Sequence, residues 1–443
     1  MSEKSHYKRI LQLTLPVMVS GLAQNIIHVT DTAFMTRLGE AEVGASAIAG
    51  LYYLTLIFLG FGLGVGSQIL IARRCGEGRY DEVGKIFANL IYVFLALGIV
   101  LFVIIRFFSR PILTSLVDSP EILARSLDYL DWRAWGALFA LLSFAARFLY
   151  TGIAKTSSLG INTAFLAVVN AVAAYGLIFG KWGLPQMGIA GAGLAAVIAE
   201  VTSCVFFFVY TGLFLDMKKY CLMNFTLPDF SLIRRVFVLS LPMVILYAVS
   251  LAGWFSFFLI VEKLGPHNLA ISNIVRSIYM VYFMPLMSFQ SVTNTLVSHA
   301  IGEGRPHEVG RIIRSILFLC LGIGTVCALI NFIFPLEVFG LLSPDPILAR
   351  DAVPTLRVVS LALLLFSIGT VLFNAVSGTG DTKASLVIEL TSVTAYLIYA
   401  GICALVLKTD IATVWSAEWA YWSIQATLSF WRLKSGKWRR LKI

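Results

Sequence analysis

Long apolar stretches, separated by short polar segments, follow one another along the entire chain. An α-helix rises ~1.5 Å per residue, so roughly 20 apolar residues cross the ~30 Å hydrocarbon core of a bilayer. The stretches predict six helices in the first half of the chain, at 10–36, 44–72, 85–107, 124–151, 158–180 and 187–214. They predict six more in the second half, at 232–262, 268–299, 309–334, 351–377, 384–407 and 411–432. The pattern therefore indicates an all-α polytopic membrane protein with twelve transmembrane helices.

The two halves of the chain repeat each other. Pro242 follows Pro16 by 226 residues, and the Gly-Glu-Gly-Arg sequence that begins at Gly76 recurs at Gly302 with the same offset. A fixed offset without a gap indicates duplication of a half-protein. The duplication predicts an N lobe of six helices over 1–215, a cytoplasmic linker over 216–231, and a C lobe of six helices with a basic tail over 232–443. Because six is even, both lobes are expected to insert in the same orientation, as parallel repeats.

Composition excludes several other classes of protein. The chain is 58% hydrophobic and 13% charged, whereas a soluble domain carries roughly 25% charged residues. The formal net charge of +10 does not indicate nucleic-acid binding, since Lys and Arg cluster in the polar breaks of one membrane face. The positive-inside rule then predicts both termini and the linker in the cytoplasm, with the protein in the cell (inner) membrane.

The expected partners are a small-molecule substrate and the lipid bilayer, and we expect a monomer. Six cysteines without a C-x-x-C spacing predict neither a metal site nor a disulfide framework. No cofactor is expected. A membrane-embedded enzyme would need paired carboxylates, H-E-x-x-H or a Ser/His constellation at helical spacing, and the sequence has none of these.

Ionisable residues inside predicted spans are costly and therefore mark candidate functional sites. Asp31 follows Arg9 by 22 residues, or ~33 Å of helix, which allows a place at the outer interface. Alternatively, Pro16 bends the helix and Asp31 faces the lobe interior, where it binds a cation. His28 lies one turn earlier on the same face and is a candidate to share a proton. Glu200 lies near the middle of the sixth span, either paired with an Arg or the backbone, or acting as a proton relay.

The second half offers a candidate substrate pathway on the eighth predicted helix. Arg276 is followed by Tyr279 and Tyr282 on a nearby face. An Arg that lines a cavity disfavours cationic substrates, but Arg276 could equally pair with Glu389 or Glu262. The sequence leaves these alternatives open.

Three further patterns have structural interpretations. The glycines at 60, 62, 64 and 66 form interleaved G-x-x-x-G patterns and predict close helix packing rather than a phosphate loop. The repeated Gly-Glu-Gly sequences predict helix ends in which glycine adopts a left-handed conformation. The aromatic residues between Trp415 and Trp422 predict anchoring at a membrane interface.

The motifs taken together resemble the multidrug and toxic compound extrusion (MATE) family over nearly the whole chain. The residues that carry the resemblance are Leu15-Pro16 followed by Asp31, Leu38-Gly39, Gly76-Glu77-Gly78, Gly180-Lys181-Trp182-Gly183 through Gly191, Gly302-Glu303-Gly304 and Ser377-Gly378-Thr379-Gly380-Asp381-Thr382. The resemblance implies two six-helix lobes and the export of amphipathic, often cationic compounds, driven by inward flow of protons or sodium. It also implies that Asp31 belongs to the cation site.

The chain departs from the family pattern at two places. One branch of the family adds an Asn and, four residues later, an Asp on the fifth helix; here Asn170 is present, but Ala174 replaces the acid. Another branch has a Glu inside the seventh helix, where Ser250 is the nearest equivalent by spacing. Sodium needs several oxygen ligands, whereas a proton needs one carboxyl group. The proton is therefore the favoured coupling ion.

The functional hypothesis is a secondary-active multidrug efflux antiporter that alternates access by rocking its two lobes. Pro16 and Pro242 are expected to bend the first and seventh helices as structural hinges. The alternative is a flippase for lipid-linked precursors or polysaccharide intermediates, which is similar to the family in fold. A flippase of that kind would be expected to show a strongly cationic cavity, and Arg147, Arg276 and Arg357 are few for that purpose.

Overall fold

The computed structural model describes residues 3–222, 227–340 and 346–441. These residues form fifteen α-helices and no strand. In the first half the helices are α1 (Glu3–Leu38), α2 (Glu40–Gly76), α3 (Tyr80–Val103), α4 (Ser109–Thr114), α5 (Pro120–Gly152), α6 (Ser157–Phe179) and α7 (Ile189–Phe214). In the second half they are α8 (Phe230–Glu262), α9 (Pro266–Gly302), α10 (Val309–Ile333), α11 (Pro335–Gly340), α12 (Pro346–Gly378), α13 (Thr382–Gly401), α14 (Ile411–Trp415) and α15 (Ala417–Lys434).

Short non-α segments extend or link several of these helices. Ile104–Phe108 and Ile402–Val406 are π-helical and continue α3 and α13, while Pro306–Glu308 and Lys437–Arg440 are 3-10 turns. Within the described residues, eleven helical segments are long and apolar enough to cross a membrane. The twelfth predicted span corresponds to α14 and α15. It is less apolar because α15 carries Glu418 and Gln425 on its buried face. The predicted all-α polytopic fold is confirmed.

The chain forms two compact units. The N-terminal unit comprises residues 19–240, and the C-terminal unit comprises 1–18 together with 241–443. Both boundaries fall inside long helices, within two residues of Pro16 in α1 and Pro242 in α8. The predicted lobes, 1–215 and 232–443, thus describe the sequence repeat, whereas the compact units divide at the two prolines.

The N-terminal unit is built around α5, which packs against α2, α3 and α7, while α6 packs against α7. The glycines of α2 allow this close approach. A Cβ atom at Gly64 would lie 1.9 Å from the Phe148 ring of α5, and one at Gly66 would lie 2.0 Å from Ser240 Oγ. The packing interpretation of these glycines is confirmed.

The C-terminal unit is built around α12, which packs against α9, α10 and α15, while α13 packs against α15. Large side chains fill this interior. Trp415, Phe289 and Phe366 are completely buried.

The Gly-Glu-Gly sequences end α2 and α9 in the same way. Gly78 has φ +73° and Gly304 has φ +71°, in the left-handed region that favours glycine. The predicted helix ends are confirmed.

The charges at these two helix ends are also duplicated. Arg79 pairs with Glu77 and Glu82. Arg305, 226 residues later, pairs with the equivalent acids Glu303 and Glu308. The repeat is therefore visible in the ion pairs as well as in the sequence.

One position of this duplicated cluster differs between the halves. Arg74 pairs with Glu77 and Glu82 in the first half, but its equivalent in the second half is Ala300. Ala300 instead lines a cavity of about 370 Å³ in the C-terminal unit. Loss of the buried guanidinium thus leaves open space where the first half is filled.

Candidate functional site

A carboxylate and an amide meet in the N-terminal unit. Asp31 lies on α1 and is half-buried, while Asn170 lies on α6 and is 3% exposed. Asn170 Nδ2 donates a hydrogen bond to Asp31 Oδ1 at 2.8 Å. In the part of the chain that the structure describes, Asp31 Oδ2 has no hydrogen-bond partner. The structure therefore brings two of the predicted cation-site residues together and leaves one carboxylate oxygen available.

The position of the missing acid on α6 is part of the apolar core. Ala174 is 1% exposed and packs in a cluster with Met35, Leu177 and Ile178. An acid here would be buried among aliphatic side chains, where a charge is costly without a partner. The substitution by Ala is thus matched by its surroundings.

Glu200 on α7 pairs with Arg133 on α5. Arg133 Nη2 donates to Glu200 Oε1 at 2.7 Å, and the two side chains are 13% and 14% exposed. The Arg133 guanidinium lies 3.9 Å from the centroid of the Tyr53 ring, whose hydroxyl is 3.5 Å from Glu200 Oε1. Of the two interpretations of Glu200, the geometry shows the pairing with an Arg.

This ion pair is incompletely satisfied. Glu200 Oε2 and Arg133 Nη1 are buried and have no hydrogen-bond partner among the described residues. Both atoms flank Gly136: a Cβ added there would lie 2.2 Å from Glu200 Oε2 and 2.6 Å from Arg133 Nη1. The missing side chain at Gly136 therefore makes space for the ion pair.

Arg133 is the residue that connects the two polar groups. It interacts electrostatically with Asp31 and with His28, although the structure shows no ion pair between them. The His28 side chain is exposed, and within the described residues its imidazole donates no hydrogen bond to Asp31. Sharing of a proton between His28 and Asp31 stays a prediction. Arg133 itself could have been found from the sequence, since it is an ionisable residue inside a predicted span.

The predicted substrate-pathway residues do not form one group. The Arg276 guanidinium lies 5.0 Å from the Phe258 ring centroid, and in the described chain it pairs with neither Glu262 nor Glu389. Tyr279 is buried, and its hydroxyl is 3.4 Å from Glu418 Oε2. Tyr282 is half-buried. Their role in a substrate pathway stays a prediction.

The expectation that residues 415–422 anchor the chain at a membrane interface is wrong for two of the tryptophans. Trp415 is 0% exposed and donates to Ser272 Oγ at 2.9 Å, and Trp422 is 7% exposed. These rings fill the C-terminal unit because the segment packs inward around Glu418. In the described residues, no group of three or more His, Cys, Asp or Glu side chains is placed to hold a metal ion.

Known proteins resemble the chain along most of its length. The MatE family model matches residues 16–176 and 230–401. The chain is similar to a probable multidrug resistance protein NorM of Mannheimia succiniciproducens, with 24% identity over 97% of this chain and 94% of that protein. It is 29% identical to a NorM protein of Agrobacterium fabrum described in the same words, over 68% of this chain and 64% of that protein.

Solved structures share the fold. One is an outward-facing multidrug resistance MATE family transporter, with a TM-score of 0.88, 18% identity, and coverage of 98% of this chain and 97% of that one. Another is a MATE transporter of Vibrio cholerae, with a TM-score of 0.88, 16% identity, and coverage of 99% of both chains. The whole described chain therefore has the architecture of these transporters.

Proposed function

Since the chain belongs to the MatE family, we propose that this membrane transporter is a secondary-active exporter of amphipathic small molecules. The NorM relatives support the substrate class, because their names assign them to multidrug resistance. The driving force in this proposal is an inward flow of protons, and access alternates between the two membrane faces. The observation that carries the proposal is the half-buried Asp31 carboxylate, held by Asn170 inside a membrane-spanning helix.

The partners of Asp31 favour a proton over sodium as the coupling ion. Sodium is held by several oxygen ligands in a fixed geometry. Asn170 presents its amide nitrogen, a donor, to Asp31, and Ala174 offers no ligand. A proton needs only the carboxyl group, and Asp31 Oδ2 is available to receive it. The Asn170 amide then holds the carboxyl group in place in both protonation states.

Arg133 and Glu200 act as positioning residues in this mechanism. The positive guanidinium of Arg133 interacts with Asp31, and Glu200 balances its charge at 2.7 Å. Loss of Glu200 would leave Arg133 free to stabilise the negative Asp31 more strongly. A Glu200→Gln variant is therefore expected to transport more weakly or with a shifted pH optimum, while Asp31→Asn is expected to be inactive.

The proposal is tested in proteoliposomes with ethidium as the cationic probe. Under an imposed pH gradient, Asp31→Asn should lose gradient-driven export, since the amide mimics a permanently protonated carboxyl group. Asn170→Leu should be strongly impaired as well. The matched control is Asn162→Leu on the same helix, whose amide bonds to Ser203 at 2.9 Å rather than to Asp31.

Two results would contradict parts of this proposal. Export that follows a sodium gradient and ignores pH would remove the proton preference. Full export by Asp31→Asn would remove Asp31 from the coupling site. Folding of each variant is checked by its thermal unfolding midpoint in detergent.

A further inference from the structure

Two carboxylates are buried in the C-terminal unit, away from every residue of the proposed coupling site. Glu389 lies on α13 and is 1% exposed, and Glu418 lies on α15 and is 5% exposed. Both belong to helical segments in the interior of a membrane protein, where an ionised carboxylate is expensive and seldom without a function. Sequence analysis considered Glu389 only as a partner of Arg276, and it did not single out Glu418.

The partners of Glu389 are all neutral. The Tyr421 hydroxyl donates to Glu389 Oε1 at 2.7 Å, and Gln425 Nε2 donates to Glu389 Oε2 at 2.9 Å. The Ser250 hydroxyl on α8 also bonds to Oε1. This carboxylate is therefore fully hydrogen-bonded and has no compensating positive charge.

Glu418 has the same kind of environment. Trp422 Nε1 donates to Glu418 Oε2 at 2.8 Å, and the Tyr279 hydroxyl on α9 lies 3.4 Å from the same oxygen. Tyr396 on α13 interacts electrostatically with Glu418. Its hydroxyl is buried and has no hydrogen-bond partner within the described residues. An unpaired hydroxyl thus lies beside a buried carboxylate.

Tyrosines connect the two carboxylates. The Tyr396 and Tyr421 rings are 5.8 Å apart between centroids, and Tyr421 interacts with both Glu389 and Glu418. Glu389 and Glu418, with Ser250, Tyr279, Tyr396, Tyr421, Trp422 and Gln425, are called the C-terminal carboxylate cluster below.

The other titratable groups around this cluster do not neutralise it. Tyr247 faces Glu389 from α8, and Tyr279 faces Glu418 from α9. Arg276 on α9 stacks on Phe258 instead. Helix α12 carries Arg350, Asp351 and Arg357, and none of the three pairs with Glu389 or Glu418. Helix α14 has no titratable side chain. Among the described residues, neither carboxylate forms an ion pair.

From this geometry we propose that the C-terminal carboxylate cluster is a second proton-binding site, with Glu389 and Glu418 as the groups that bind the protons. A protonated carboxyl group is neutral, which removes the cost of an unpaired charge in this interior. Serine and tyrosine hydroxyls can donate to a carboxylate or accept from a carboxylic acid. The cluster can therefore bind and release a proton without leaving a buried polar group unsatisfied. As a coupling element, this site rests on the proposed proton-driven export.

The same partners argue against a metal cation or a substrate in this place. Trp422 and Gln425 present N–H groups to the carboxylates, and an N–H group cannot ligate a cation. Sodium would need several oxygens converging on one point, and the carboxylate oxygens are already taken by donors. Tyr396, Tyr421 and Trp422 are packed ring against ring, with centroids 4.5 Å apart between Tyr421 and Trp422. A proton needs none of this space.

Infrared difference spectroscopy on the full chain in lipid vesicles tests the proposal without relying on transport. The probe is the carboxylic acid carbonyl band as pH is varied. The comparison uses Asp31→Asn and a triple variant that adds Glu389→Gln and Glu418→Gln. A pH-dependent carboxylic acid band should persist in Asp31→Asn, and it should lose intensity in the triple variant. The exposed Glu262 on α8 supplies the control, because Glu262→Gln in the Asp31→Asn protein should leave this band intact.

Identical spectra for Asp31→Asn and the triple variant would overturn the second site, even if Asp31 proves essential for export. Conversely, full export by Asp31→Asn would overturn the coupling role of Asp31 but leave the spectroscopic result standing. The single variants Glu389→Gln and Glu418→Gln replace the triple variant if its unfolding midpoint shows that it does not fold. Each single variant should then remove part of the band, and Glu418→Asp should restore the part lost in Glu418→Gln.

Discussion

At the scale of single residues, the Arg133–Glu200 ion pair determines how charge is distributed in the N-terminal unit. Each side chain is more than four-fifths buried, at 13% and 14% exposure. Removing one partner leaves a buried charge without compensation, which typically costs about 3–5 kcal/mol. Arg133→Gln and Glu200→Gln should therefore each lower the free energy of unfolding by an amount of this order.

The double variant Arg133→Gln/Glu200→Gln should be more stable than the sum of the two single losses, because it buries no unpaired charge. A double-mutant cycle of unfolding free energies in detergent measures this coupling. Additive losses in the cycle would contradict a direct interaction. Arg106→Gln/Asp131→Asn is a suitable control cycle, since that ion pair is 43% and 48% exposed and exposed pairs contribute only about 0–1 kcal/mol.

Residues differ in how far the sequence could predict them. The resemblance to a family marked Asp31 and Asn170, and the structure joins them by a hydrogen bond. Arg133 fits the general rule for charges inside spans, but nothing local to it indicated Glu200 as its partner, 67 residues away. Glu418 was hidden because aromatic residues surround it in the chain. Such a segment is compatible with a membrane interface or with a core, and only tertiary packing decides between them.

At the scale of helices, the glycines of α2 set the distance to α5. The Cβ atom of an alanine at position 64 would lie 1.9 Å from Phe148, a clash that must push the helices apart. Overpacking of a buried contact costs typically about 1–3 kcal/mol. Gly64→Ala should lower the unfolding midpoint accordingly. On the same helix, Gly50→Ala meets no atom within 4 Å, so it should leave the midpoint unchanged or raise it. Equal effects of the two substitutions would contradict the packing role of Gly64.

The helices were largely predictable because an apolar run of membrane-spanning length has few alternative structures. Their ends were less so. Helix α1 begins at Glu3, before the predicted position 10, because polar residues continue the helix beyond its apolar stretch. The π-helical segments Ile104–Phe108 and Ile402–Val406 had no sequence signal. Hydrogen-bond register within a helix depends on its neighbours as well as on local propensity.

At the scale of the whole molecule, the Lys and Arg pattern predicts which polar segments share a membrane face. Lys218 and Lys408 are both exposed, and the positive-inside rule places them on opposite faces. Single cysteines at these positions, in a chain whose six natural cysteines are replaced, should react with a membrane-impermeant maleimide from opposite sides. Labelling of both from the same side would contradict the predicted topology.

The repeat was predictable, whereas the division into compact units was not. A fixed offset of 226 residues identified equivalent turns, and the ion pairs of Arg79 and Arg305 reproduce that equivalence. The units, however, divide inside α1 and α8. Continuity of a helix along the sequence does not reveal which neighbours each part of it contacts. The role of Pro16 and Pro242 as hinges stays a prediction, although both unit boundaries lie beside them.

A carboxylate site in each unit would change the thermodynamic limit of transport. One proton per cycle lets a gradient of one pH unit, about 1.4 kcal/mol, sustain a tenfold concentration ratio of substrate. Two protons per cycle square that ratio to about a hundredfold. The exchange of two protons for one monovalent cation also moves one net charge inward, so the membrane potential adds about 2.3 kcal/mol per 100 mV. Transport through Asp31 alone would be electroneutral for such a substrate, whereas transport that also uses Glu389 or Glu418 would generate a current.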